Sequence, residues 1–134
     1  MKNIKQPIRE LTKAEEQIMK ILWEKQPALV HDILSEFPEP KPAYNTVSTI
    51  IRILEQKGFV GHKAYGRTYE YFTLISRDDY SSAHFGNFLN NYFGNSFKSL
   101  ASFFTSENKM TIRELEEIQQ MIAGEIEKQK KTTP

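Results

Sequence analysis

Asn45, Thr49, Arg52 and Gln56 recur at intervals of three or four residues, with Ser48 beside them. On a helix this spacing gathers amides, hydroxyls and one guanidinium on a single face. The chemistry of such a set is recognition: amides and hydroxyls donate to and accept from base edges, and a guanidinium pairs bidentately with guanine or clamps a phosphate. The other side of the same stretch carries Val47, Ile50, Ile51 and Leu54 at i, i+3, i+4 and i+7, a narrow apolar stripe that predicts a helix packed on a core. Entry falls between Pro42 and Tyr44, which puts Tyr44, Asn45 and Thr46 in the first turn, where free amides favour phosphate oxygens. Gly58 ends the helix, because the residue past a last turn commonly needs positive φ.

A plain amphipathic helix with a solvated polar face would show the same spacing; the residues after Gly58 separate the two readings. Residues 59–64 and 68–74 are rich in aromatic and β-branched side chains, and Tyr65, Gly66 and Arg67 between them supply a turn. A hairpin directly after a polar-faced helix reads as a wing. From Lys41 to Arg67 the bases are Lys41, Arg52, Lys57, Lys63 and Arg67 and the only acid is Glu55, a net +4 in a chain whose total is +1. Positive charge is thus concentrated where helix and wing would meet phosphates. The candidate contact set is Lys41, Tyr44, Asn45, Thr46, Ser48, Thr49, Arg52, Lys57, Lys63, Tyr65 and Arg67.

The elements that position this set are legible upstream. Thr12 with Glu15 forms a capping-box pattern opening a helix to about Lys25. Ala14, Ile18, Ile21 and Leu22 make one apolar stripe on it, flanked by Met19 and by Trp23, read as a core wedge. A second short helix carries Val30, Ile33, Leu34 and Phe37 and is stopped by Pro38. The connection 38–42 is longer than a minimal helix-turn-helix turn, and its three prolines restrict it.

Past residue 76 the character changes. Residues 1–76 hold 11 basic and 9 acidic side chains, while 77–134 hold 7 and 8. Ser76 with Asp79 predicts a cap and a helix burying Tyr80, Ala83, Phe88, Leu89 and Tyr92; Gly94 and Asn95 break it. Phe97, Leu100, Ala101 and Phe104 suggest a second helix. Thr111 with Glu114 caps a third, with Leu115, Ile118, Ile122 and Ile126 on one face and a frayed tail over 128–134. Three small helices cannot hide so much apolar surface alone. A second copy of the chain is the expected cover, through Phe88, Leu89, Tyr92, Phe97, Leu100, Leu115, Ile118 and Ile122; the alternative is folding back on the winged domain.

The fold expected is therefore mainly α with a small β-hairpin: an N-terminal winged helix-turn-helix domain over residues 1–75 and a C-terminal helical dimerisation region over 76–134. With 39% hydrophobic and 26% charged residues the chain suits one compact domain or two small units. Cysteine is absent, which excludes disulfides and thiolate metal sites. Neither a signal-peptide run over residues 1–11 nor an apolar stretch of membrane-spanning length occurs, so a cytoplasmic location without membrane insertion is expected. His31, His62 and His84 fall on three separate elements, with no metal-pair spacing, nucleophile elbow or phosphate loop. An enzyme, a metal site and a cofactor are not expected. The rival to DNA binding is a winged helix used as a protein-docking module.

Taken jointly, Leu11-Thr12-Lys13-Ala14-Glu15, Ile21-Leu22-Trp23, Thr46-Val47-Ser48-Thr49, Lys57-Gly58-Phe59 and Gly66-Arg67 through Tyr71 resemble the BlaI/MecI family of penicillinase-type repressors. The likeness extends to residues 94–100 and 111–122. It implies a homodimeric transcriptional repressor on a palindromic operator of double-stranded DNA. In some members it also implies inactivation when a membrane sensor metalloprotease signals and the C-terminal region is cut, usually between an asparagine and a phenylalanine. The matching positions are Phe103 and Phe104, so the asparagine is absent here. The groove helix departs too. The family often has a basic residue where Ser48 stands and an arginine where Ile53 stands, whereas this chain has Arg52.

Overall fold

The computed structural model describes residues 8–107 and 109–132 and divides into two compact units, Met1–Gly86 and Asn87–Pro134. In the first unit, α1 (Lys13–Lys25) opens on the expected capping box. The Thr12 hydroxyl accepts from the Glu15 amide at 3.2 Å, and the Glu15 carboxylate accepts from the Thr12 amide at 2.9 Å. The buried face is turned slightly from the expected stripe. Ile18, Met19 and Leu22 are buried and Ile21 and Trp23 half-buried, but Ala14 is exposed and Glu15 takes the inward place. A buried carboxylate is tolerated there because Lys57 Nζ reaches it at 2.8 Å in addition to the Thr12 amide.

α2 (Val30–Ser35) is short, with Val30 and Ile33 buried. It ends at Ser35 rather than running to Pro38, because its last turn tightens: Glu36 N–H donates to Ile33 O and Phe37 N–H to Leu34 O, both at 3.1 Å. α3 (Tyr44–Gln56) buries Val47, Ile51 and Leu54. Its end is a Schellman motif: Gly58 has φ +86°, its N–H donates to Glu55 O at 3.1 Å, and Phe59 N–H donates to Leu54 O at 2.9 Å.

The chain turns at once into β1 (Val60–Tyr65), antiparallel to β2 (Thr68–Thr73), with Val60 opposite Thr73 and Tyr65 opposite Thr68. Gly66 alone carries positive φ (+64°) in the two-residue turn, the requirement of a type II′ hairpin. Ala28 adds a one-residue third strand: its N–H donates to Tyr71 O at 3.0 Å and its carbonyl accepts from Tyr71 N–H at 2.8 Å. Phe59, Val60 and Tyr71 thereby join the α1, α2 and α3 faces in one core.

α4 (Arg77–Phe93) is capped by Ser76, whose hydroxyl accepts from the Asp79 amide at 3.0 Å. Its first turns pack with the first unit, past the boundary expected at 75/76. Tyr80 is the reason. Buried in the core, it accepts from the Leu11 amide at 3.0 Å and meets Phe59 edge-on at 6.0 Å. Trp23 sits half-buried at the margin, its indole N–H donating to Ile75 O at 2.9 Å.

In the second unit, left-handed Gly94 (φ +58°) and Asn95 (φ +60°) end α4. Ser96 caps α5 (Phe97–Ser106), and Thr111 with Glu114 caps α6 (Ile112–Thr132). α6 stays helical to Thr132 where fraying from residue 128 was expected, and Lys130 and Lys131 suit the negative end of its dipole. The last two residues of that tail, like residues 1–7 of the N-terminal domain, lie outside the described residues. No residue of α5 or α6 is buried. On α4, Leu89 is buried within one chain, while Phe88 and Tyr92, expected inside, are exposed.

The Glu15–Lys57 pair carries a stability prediction. Burial pushes the Glu15 pKa up, but the hydrogen bonds from Lys57 and Thr12 and the Lys57 charge outweigh it, so the net shift is downward. A carboxyl depressed in the folded state stabilises above its unfolded pKa, and that contribution disappears as pH falls through the folded value. Glu15→Gln should therefore cost about 2 kcal/mol in urea unfolding at pH 7. The two proteins should converge below the ordinary carboxylate range; a gap that persisted in acid would show that shape, not charge, sets the cost.

Candidate nucleic-acid interface

α3 turns its polar face outward as its spacing required. Tyr44, Asn45, Thr46, Thr49, Arg52 and Gln56 are exposed and Ser48 half-buried, while the apolar stripe faces the core. The start of α3 leans on α2, with the Tyr44 and His31 rings 4.8 Å apart. Beside α3 runs an open groove of about 450 Å³, with Tyr44, Ser48 and Arg52 on one wall and Arg67, Thr68, Tyr69 and Tyr71 on the other; Leu29, Val30 and His31 close one end. Two guanidiniums from elements 15 residues apart in sequence thus front one concavity.

Not all of the basic residues reach outward. Lys57 is held by Glu15 with its side chain only 22% exposed, so it serves the core. Lys41 is also spoken for: its Nζ donates to Ser35 O at 2.9 Å and Phe37 O at 3.1 Å, capping the end of α2. Both were expected among the groove contacts; their ammonium groups bond within the fold, Lys57 to Glu15 and Lys41 to the end of α2. Arg52, Lys63 and Arg67 make no ion pair among the described residues, and Lys63 lies 5.5 Å from the centre of the Tyr65 ring on the hairpin's outer face. Glu15 thus offsets the charge of Lys57, while Arg52, Lys63, Arg67 and Lys41, whose ammonium meets only neutral carbonyls, keep theirs.

Sequence reasoning passed over the inner face of the hairpin. Tyr71, His62 and Tyr69 share that face through the register His62 opposite Tyr71 and Ala64 opposite Tyr69. His62 stacks on Tyr69 at 4.3 Å and contacts Glu55 of α3. Burial first, and then the Glu55 charge, raise the pKa of the Tyr71 phenol, with Arg52 pulling the other way; the phenol stays protonated and can donate. Strict alternation in β2 was the signal that could have found these residues.

A sequence model described as "Penicillinase repressor" matches residues 11–124. The chain belongs to the penicillinase repressor family. Membership makes it a DNA-binding repressor of transcription rather than an enzyme. Curated relatives include the methicillin resistance regulatory protein MecI of Staphylococcus aureus (strain N315), 28% identical over 84% of this chain and 93% of the relative. Another is the penicillinase repressor of Bacillus licheniformis, 23% identical over 86% and 91%. Among solved structures, the monomeric form of Bacillus licheniformis BlaI in complex with the blaP half-operator is 26% identical. It covers 55% of this chain and 90% of that one, with a TM-score of 0.46. For this penicillinase repressor family member, the winged helix-turn-helix expected from motif order is the fold of the first unit.

Phe103 and Phe104, expected to match the family's cleavage bond, lie inside α5 with their rings 5.8 Å apart, and Phe103 also packs edge-on against Phe93 at 5.6 Å. Among the described residues no helix is long and apolar enough to cross a membrane, and no cluster of histidines and acids could hold a metal ion.

Proposed function

We propose that two copies of the chain pair through their C-terminal helices and bind a palindromic operator in the cytoplasm, blocking transcription. Each copy lays α3 in the major groove and its hairpin along the flanking backbone. The supporting observation is the shared groove: Arg52 on the reading helix and Arg67 on the wing face the same concavity. In this reading Tyr44, Asn45 and Thr46 engage phosphates at the start of α3, while Ser48, Thr49 and Arg52 face base edges. Lys63, Tyr65 and Arg67 follow the backbone from the wing. Lys41 and Lys57 are left out, since their ammonium groups are already bonded within the fold.

The exposed apolar positions of the second unit support the pairing. Leu115, Ile118, Ile122 and Ile126 share one face of α6, all exposed in the single chain, and Phe88, Tyr92 and Phe97 add aromatic surface, with Leu100 half-buried. Leu89 drops out of the contact surface because it is already covered. Relief by a membrane sensor metalloprotease would require α5 to unwind around Phe103 and Phe104, since a protease takes extended backbone. Incubating the repressor with such a protease and mapping the fragments tests that step; cleavage elsewhere removes it.

Gel-shift titration against the promoter of the chain's own operon tests the reading as a whole. Arg67→Ala should weaken binding to all sequences alike and lower the slope of log affinity against log salt by about 1, as expected for the loss of one phosphate contact. An unchanged slope removes the wing from the interface. Weak, sequence-indifferent binding by the unaltered protein would favour a protein-docking module instead.

A further inference from the structure

We infer that Glu55 and His62 form a strut that fixes the angle between α3 and the hairpin, and with it the spacing of Arg52 and Arg67 across the groove. This inference rests on the operator-binding reading above. α3 and the hairpin are joined covalently only at their root, through Lys57, Gly58 and Phe59. Beyond it, among the described residues, one side-chain hydrogen bond crosses between them: His62 Nδ1 to Glu55 Oε2 at 2.5 Å. Each side chain is 32% exposed, shielded enough to hold one geometry. The imidazole is pinned from its other side by Tyr69, stacked at 4.3 Å and 20° between planes, with Tyr71 at 5.8 Å. The two ends of the strut are sequence neighbours of the reading residues: Glu55 lies three positions after Arg52, and Tyr69 two after Arg67.

Charge makes the assignment testable by sign. Glu55 is the only acid between Lys41 and Arg67, beside a surface that must attract phosphates. If it contributed its charge alone, Glu55→Gln would tighten DNA binding. As a strut, its loss frees the wing and weakens binding, because ordering the wing is then charged to the association step. The groups facing His62 are Glu55 from α3 and Tyr69 and Tyr71 from β2. Arg52, which shares the Tyr71 field with Glu55, is the cation on the α3 side, and Lys63 projects from the opposite face of β1.

The experiment is fluorescence anisotropy of the full-length protein on the same promoter fragment at fixed salt. Glu55→Gln and His62→Asn should each weaken specific binding about fivefold, with thermal unfolding unchanged within a few degrees. In an Arg67→Ala background the same changes should cost less than about twofold, because the spacing they set no longer matters. Tighter or unchanged binding by Glu55→Gln, or full additivity with Arg67→Ala, overturns the strut. If the unaltered protein shows no operator preference, the parent reading fails first, and the strut with it.

Discussion

Glutamate at both Ile118 and Ile122 should turn the proposed dimer into a monomer in sedimentation velocity and lower operator affinity about a hundredfold or more. Both side chains stand on one face of α6, 37% and 52% exposed in the single chain, in line with Leu115 and Ile126. An apolar ridge along a 21-residue helix with nothing buried beneath it has no role in a lone protomer. Against a second copy it becomes the seam, and two carboxylates there would have to be desolvated without partners. The binding loss should be larger than either reading head explains, because in the proposed dimer pairing makes the second contact effectively intramolecular, a gain of about 100 to 10,000-fold. Circular dichroism should show the helices retained. Dimers that persist at micromolar concentration would place the interface on another surface.

Arg52→Ala should cost about 1–3 kcal/mol of operator binding and relax preference at one base pair, the usual consequence of removing a bidentate base contact. Arg52 is exposed at the centre of the polar face of α3 and free of ion pairs among the described residues, so the cost does not come from a damaged core. The comparison with Arg67→Ala is the informative one. Loss at Arg52 should fall on the cognate sequence and leave the salt slope nearly intact; loss at Arg67 should be uniform and reduce the slope. Equal losses on cognate and scrambled DNA for Arg52→Ala would demote it to a backbone contact and leave Asn45, Ser48 and Thr49 as the readers.

Much of the architecture is legible in the chain itself. Caps announce themselves locally, so Thr12, Ser76 and Thr111 open their helices where expected, and the φ requirement at Gly58 and Gly66 fixes both the end of α3 and the hairpin turn. The α3 stripe had one reading because its apolar and polar positions separate cleanly. What stayed hidden depends on partners far away in sequence. Nothing local reveals that Glu15 points inward, since its reason is Lys57, 42 residues on. Counting charges could not tell that Lys57 is already paired with Glu15. The boundary expected at 75/76 followed Ser76, which signals only where α4 starts, and nothing local reveals that Tyr80 packs into the first core.

The single-residue strand at Ala28 divides the wing into two mechanical regimes. Along the outer edge of β2, Ala28 takes the amide and carbonyl of Tyr71 and the Gln26 side chain takes the amide of Thr73 at 2.8 Å, so the hairpin's base is stitched on both margins. From Tyr69 outward that edge has no such seam among the described residues, and the ladder to β1 remains. The base is thus a clamp and the last turn a cantilever. Arg67 sits one turn beyond that clamp, so in the proposed reading its reach toward a phosphate is set at the hairpin's base and not at its tip.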